Sequence, residues 1–229
     1  MLAVMWADAA RSSSHWPGAM TERVGSLQSA VLPLVLASSS AARRRLLEAA
    51  GLHFRSLPAR VDEDAIKHSL RSEGVSAQDA AVALAETKAA RVALGLPPET
   101  LVVAADQILA CDGRWFDKPA DRAAARSQLQ ALAGRAHELA TAVVVFRAGT
   151  RIWHHVDTAR LWMRPLGEAF VDAYLDVAGD TVLDSVGAYH LEDVGAHLFA
   201  RVAGDAFTVQ GLPLLPLLQC LRDQGLVLR

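Results

Sequence analysis

The sequence predicts an α/β fold. Three observations carry that prediction. Short apolar runs alternate along the chain with Ala- and Leu-rich segments of helical period. Several of the helical segments close at a glycine. No repeat, and no linker rich in Gly, Ser or Pro, divides residues 31–229, which read as one domain. The 229 residues are 52% hydrophobic and 21% charged, the balance of a globular protein able to bury a core.

Residues 1–30, with Ser12–Ser14, Pro17, Gly18 and no sustained period, read as a poorly ordered N-terminal extension in which Met20 is an alternative start. Order is expected to begin with a buried strand at Leu34–Ser38, followed by a Ser40 cap and a helix over Ala41–Ala50 that stops at Gly51. His53–Val61 alternates weakly, as a strand would, and an acidic loop follows it. Ser76 caps an Ala-rich helix that closes at Gly95. Leu101–Ala110 is an apolar run around one carboxylate, the pattern of a central strand, and Asp112-Gly113 makes a turn after it. Pro119 opens a helix through Ala133, ended by Gly134. Ala140–Phe146 and Ile152–Met163 read as paired strands, and Gly167–Val177 and Leu214–Asp223 as the last helices.

Several function classes are excluded. Lys plus Arg is 23 against Asp plus Glu of 25, a net charge of −2, so there is no field to attract nucleic acid. No apolar run reaches the roughly 18 residues of a membrane span, and no signal pattern opens the chain, so a cytoplasmic location is expected. Cys111 and Cys220 stand far apart without a C-x-x-C partner and read as buried free thiols. No two glycines are separated by one residue, which removes the dinucleotide fingerprint, and no lysine precedes Ser or Thr, which removes the P-loop. His154 and His155 are adjacent, so on a strand they point to opposite faces and do not readily share a metal.

What remains is a set of polar residues at strand ends and turns. Ser38-Ser39-Ser40 and Arg43-Arg44-Arg45 gather hydroxyls, backbone N–H groups and guanidinium groups at a strand-to-helix junction, an assembly suited to phosphate. The bland alternative is a Ser40 cap beside a solvated basic face, but cations at a helix N-terminus oppose its dipole. Val61-Asp62-Glu63-Asp64 could hold Mg²⁺ through one or two oxygens, or simply be a solvated loop. Asp106 lies within an apolar strand, where a carboxylate needs a partner or a metal. Only three of the 23 basic residues are lysines, and two of them, Lys88 and Lys118, fall near these segments. Together they suit a polyphosphate with a divalent ion, and hydrolysis is the simplest chemistry for such a site.

The order of these segments closely resembles the Maf proteins, nucleoside triphosphate pyrophosphatases also described as septum-formation inhibitors. The resemblance spans Leu34 to about Arg222. The family's L-A-S-x-S-x-x-R appears as Leu36–Arg43, its V-D-E as Val61-Asp62-Glu63, and its E-K-A-like helix segment as Glu86-Thr87-Lys88-Ala89. Its Asp-centred strand is Ala104-Ala105-Asp106-Gln107, its K-P is Lys118-Pro119, and G-x-x-H-x-x-x-T-A is Gly134–Ala142. Gly187-Ala188-Tyr189, Gly204-Asp205 and Gly211-Leu212-Pro213-Leu214 follow in the family's order. The resemblance implies a mixed twisted sheet with flanking helices around a central cleft, of the Maf and ITPase-like kind, often as a homodimer. It implies hydrolysis of a nucleotide's α–β phosphoanhydride to monophosphate and pyrophosphate. Asp106 matches the proton acceptor that activates water and also touches the metal. Ser38, Arg43, Arg44, Lys88 and Lys118 match phosphate-contacting positions, and Glu63 matches a carboxylate that contacts the substrate and supports Mg²⁺ or Mn²⁺.

Substrate preference falls at Ala42, Gln107 and Glu192. The branch resembling 7-methylguanosine triphosphate pyrophosphatases has Gln and Glu at the last two positions but an aromatic residue at the first. The dTTP/UTP branch has Arg, Thr and Gln, and commonly Lys where Ser185 stands. A carboxylate at Glu192 can accept from a guanine N1–H and N2 amine and complement a cationic ring, so a 7-methyl-GTP-like substrate is expected. A non-catalytic nucleotide-sensing regulator of cell division is the alternative class. Asp106 separates the two, since a sensor has no use for a water-activating carboxylate beside phosphate.

Overall fold

The computed structural model describes residues 27–29 and 32–228. Most of the expected extension, residues 1–26, therefore lies outside the described residues. Gln28, near its end, bridges to Val227 and clasps the backbone of His53, donating to the carbonyl at 2.9 Å and accepting from the amide at 2.6 Å.

The strands are β1 (Leu34–Leu36), β2 (Arg55–Ser56), β3 (Leu101–Cys111), β4 (Arg114–Phe116), β5 (Ala136–Arg147), β6 (Thr150–Met163) and β7 (Phe199–Ala203). They form a seven-stranded sheet in the order β2-β1-β3-β5-β6-β7, with β4 also paired to β3. Pairings among β2, β1 and β3 are parallel and the others antiparallel, so the sheet is mixed, as expected. The helices are α1 (Ala41–Ala49), α2 (Glu63–Ser72), α3 (Ala77–Ala93), α4 (Arg122–Leu132), α5 (Glu168–Ala178), α6 (Ala206–Val209) and α7 (Leu214–Asp223). None of the described helices is long and apolar enough to cross a membrane.

Side-chain alternation along β3 explains the layers. Val102, Ala104 and Ile108 face α3, whose Ala80, Ala81, Leu84, Ala85 and Ala89 make a buried, Ala-rich face. Leu101, Val103 and Ala105 face the other way, onto Leu46 and Leu47 of α1 and Leu217 and Leu221 of α7. Leu109 shares that second face but belongs to a separate cluster with Leu129 and Leu132 of α4 and Val171 and Leu175 of α5. Each fully buried leucine here contributes roughly 1.5–3 kcal/mol relative to exposure. One face of the sheet thus carries two apolar clusters, and Gln107 falls between them.

Five elements differ from the sequence expectation. The acidic segment is not a loop: Asp62 caps α2 by accepting from Ala65 N, and Glu63 and Asp64 occupy its first turn, where carboxylates complement the dipole. Ile66 and Leu70, four residues apart, pack that helix on the core beside α3. The weak strand over His53–Val61 shrinks to Arg55–Ser56. After the Asp112-Gly113 turn, whose φ angles of 49° and 78° suit a tight hairpin, β4 returns along β3, and β7 adds an outer strand. The helix expected from Pro119 begins at Arg122, behind an Asp121 cap. Cys111 and Cys220 are buried and free, and burial pushes the Cys220 thiol up to about 11.

Candidate active site

The open edge of β3 locates the site. β1 pairs with β3 from Leu34 against Leu101 as far as Leu36 against Val103, after which the Ala37 amide donates to Val103 O at 2.7 Å. β4 takes up the same edge only from Leu109 onward. On that side Ala104–Ile108 has no strand partner, while β5 pairs the opposite edge throughout. Asp106 stands at the middle of this gap.

Four segments converge on it. Lys88, from the buried face of α3, places Nζ 2.8 Å from Asp106 Oδ2 and 2.9 Å from Glu63 Oε2. Asp106 is 5% exposed and Lys88 7%, so each offsets the other's desolvation. Asp106 Oδ1 also accepts from the Gln107 amide at 2.7 Å. Arg43, buried in α1, donates from Nε to Gly211 O at 2.7 Å and from Nη1 to Ser38 Oγ at 3.4 Å. Burial pushes the Arg43 guanidinium below its ordinary value, and the charges of Asp106 and Glu63 oppose that shift. Ser38 Oγ accepts in addition from the Ser40 amide at 3.1 Å, and Ser40 caps α1 by accepting from Arg43 N at 3.3 Å.

The structure therefore brings together Ser38, Arg43, Glu63, Lys88 and Asp106. Arg44, on α1, and Lys118, after β4, are exposed rather than drawn into the cluster. Glu192 lies in the segment before β7, paired with Arg45 of α1 at 3.4 Å and 3.9 Å from His190 Nδ1. Ala42 is three residues before Arg45, so the helix face that carries it turns toward Glu192. Gln107 points to the sheet face opposite Asp106. Its Nε2 donates to Thr141 Oγ1 at 2.8 Å and to Thr208 O at 2.9 Å, so any contact with a ligand falls to its amide oxygen.

Sequence reasoning missed the supports of the cluster. The Thr208 carbonyl also accepts from Thr141 Oγ1 at 3.1 Å and from Gly211 N at 3.0 Å, which ties Gln107 to the carbonyl that holds Arg43. Gly211 has φ of 91°, and a Cβ there would stand 3.4 Å from Arg43 Nε, a left-handed position that favours glycine. Lys67, the third lysine, is buried and bonded to Asp117 at 2.9 Å. Its scarcity in the composition was the one signal that could have singled it out.

Among the described residues no three His, Cys, Asp or Glu side chains converge as a metal cage. Glu63 and Asp106 nonetheless converge on a single ammonium within 2.9 Å. Two hard carboxylates aimed at one point fit an ion that takes most of its other ligands from water and phosphate, as Mg²⁺ does.

Residues 33–224 match the family model described as Maf: Maf-like protein. A protein of Rhodospirillum rubrum named nucleoside triphosphate pyrophosphatase is 51% identical over 198 residues, 86% of this chain and 98% of the relative. Proteins of the same name from Paramagnetospirillum magneticum and Rhodopseudomonas palustris are 52% and 53% identical, over 83% and 85% of this chain and 98% and 95% of theirs. With the matched region spanning the whole sheet and every residue of the cleft cluster, the chain belongs to the Maf family.

Proposed function

We propose that this chain hydrolyses nucleoside triphosphates at the α–β phosphoanhydride, releasing a nucleoside monophosphate and pyrophosphate. The observation that carries the reading is the convergence of Asp106 and Glu63 on Lys88 at the unpaired edge of β3, beside Arg43 and Ser38. The names of the relatives support it.

In the free protein Lys88 neutralises Asp106. An arriving triphosphate offers oxygens that compete for that ammonium, and Arg43, already seated by Gly211 O, supplies a second fixed cation. Lys118 and Arg44, exposed and next in sequence to Asp117 and Arg43, would contact the outer phosphates. With Lys88 turned to phosphate, Asp106 accepts a proton from water as its oxygen attacks phosphorus, and the bridging P–O bond breaks. Glu63 and Asp106 would hold Mg²⁺ or Mn²⁺, which neutralises phosphate charge when bound.

For the base, the reading is a guanine of the 7-methyl-GTP kind. Glu192 is a carboxylate near the Ala42 face of α1, able to accept from N1–H and the N2 amine. The amide oxygen of Gln107 adds an acceptor rather than a donor.

The test is pyrophosphate release with Mg²⁺ or Mn²⁺ across the common triphosphates, dTTP, UTP and 7-methyl-GTP. Release led by 7-methyl-GTP supports the base reading, and release led by dTTP or UTP overturns it while keeping the activity. Tight binding with no release of pyrophosphate would overturn the activity and leave a sensor.

A further inference from the structure

The feature that the mechanism leaves unused is a buried ammonium outside the cluster. Lys67 is 9% exposed, and lysine is among the residues least often buried without a specific partner. Its partner is Asp117, in the segment between β4 and α4. Lys67 Nζ takes Asp117 Oδ1 at 2.9 Å, and Arg71, one turn further along α2, takes Oδ2 at 2.8 Å. Each oxygen of one carboxylate thus has its own cation. Burial pushes the Asp117 carboxyl up, but hydrogen bonds from Arg71 and Lys67 outweigh it and hold the group below its ordinary value.

The backbone at Asp117 is held as well. Its carbonyl accepts from Gln128 Nε2 of α4 at 2.8 Å, and Gln128 Oε1 accepts from Gly187 N at 3.1 Å. Asp117 is therefore tied to α2 by its side chain and to α4 by its main chain. The next residue is Lys118, and the one after it is the buried Pro119. A proline restricts the residue before it to extended conformations, so Lys118 sits between an anchored residue and a rigid one. Its side chain is exposed, but the stem that carries it is not free.

We infer that Asp117, clamped by Lys67 and Arg71, is a positioning residue that aims Lys118 at the phosphates of the bound nucleotide. The inference rests on the pyrophosphatase reading above. Glu63 and Lys67 are four residues apart on α2, one turn and about 6 Å of rise, so they share a face. Glu63 belongs to the cluster around Asp106 and Lys67 holds Asp117, so one face of α2 links that cluster to the segment that carries Lys118. Ordering a long flexible cation at a phosphate costs conformational entropy, and a fixed stem removes part of that cost before the ligand arrives.

The test is a double-mutant cycle in the full chain, with Asp117→Asn, Lys118→Ala and the pair, read as KM and kcat for pyrophosphate release. Lys118→Ala should raise KM about tenfold, the scale of one charge-assisted hydrogen bond. Asp117→Asn should raise KM roughly threefold to tenfold with kcat nearly unchanged, and the double variant should be within about twofold of Lys118→Ala, because the two act through one contact. Lys67→Arg should keep the wild-type KM and Lys67→Met should copy Asp117→Asn. If the two effects multiply, or if Asp117→Asn leaves KM unchanged, the inference is overturned. Should Asp117→Asn unfold, Arg71→Gln on the exposed side of the clamp carries the same cycle. If the wild-type chain releases no pyrophosphate at all, the parent reading fails. The cycle is then read as Kd for a triphosphate with carbon bridging its α and β phosphorus atoms, and additive losses there overturn the clamp separately.

Discussion

Replacing Lys88 by methionine keeps an unbranched side chain, one heavy atom shorter, and removes its charge and its N–H donors. Two carboxylates then face each other across the gap: Asp106, whose side chain is 7% exposed, and Glu63, at 39%. Glu63 can turn to water, but Asp106 cannot, and Arg43, whose charge it feels, is already engaged with Gly211 and Ser38. Removing one partner of a buried pair costs about 3–5 kcal/mol. The proximity of Arg43 places the expected loss at the lower end, about 3 kcal/mol, or roughly 6–12 °C in Tm for a domain of this size. Thermal and urea unfolding at neutral pH measure it. The double variant Lys88→Met/Asp106→Asn leaves no unpaired buried charge and should recover most of the loss. A Lys88→Met variant within about 1 kcal/mol of wild type, or a double variant no more stable than the single one, would refute the view that Lys88 neutralises Asp106.

Asp106→Asn alone should cut pyrophosphate release at least about a hundredfold while nucleotide affinity, read by titration calorimetry, is kept, since a positioned base is lost and the cationic donors remain. His137 is 1% exposed, and burial pushes its imidazole down to about 4 from 6.5. The unfolded chain therefore binds the extra proton first as pH falls, and stability should decline from about pH 6.5 toward 4 by up to about 3 kcal/mol. In His137→Phe that part of the decline disappears, and an unchanged pH profile of urea midpoints counts against the assignment. Gly187→Ala should cost about 3 kcal/mol, because φ is 79° and the new Cβ would stand 2.6 Å from Leu109 Cδ1 and 2.7 Å from the Tyr189 ring. Gly74→Ala, with a φ of 69° but no atom within 4 Å, should cost only about 1 kcal/mol in the same unfolding assay.

Much of this site is legible in the sequence because its signals are local. Ser40 announces a cap by its place before an amphipathic run, and Asp106 is conspicuous because a carboxylate interrupts an otherwise apolar strand. Helix α2 is harder to see, since Ile66 and Leu70 are its only large apolar side chains and the acidic residues that open it also suit a loop. β7 joins the sheet through β6 alone, and its exposed outer positions carry no strand-like alternation of the usual strength. The supports of the cluster are hidden for a different reason. Lys67 meets Asp117 across 50 positions, and Gln107 meets Thr208 across 101, separations that no local pattern encodes. Residue type and spacing pick out the groups that carry chemistry, whereas the groups that hold them in place emerge only when the chain is closed on itself.

The interrupted pairing of β3 bears on solubility. A strand with an unpartnered edge is a template onto which another chain can add, and proteins guard such edges with inward-pointing charge. Here the open stretch is short, Asp106 Oδ1 caps the Gln107 amide, and an ammonium and a guanidinium crowd the approach. An intruding strand would have to break those pairs without replacing their partners. A small, highly charged ligand can meet those groups one by one. The ion pair between Asp106 and Lys88 thus also guards the unpaired stretch of β3 against the addition of another strand.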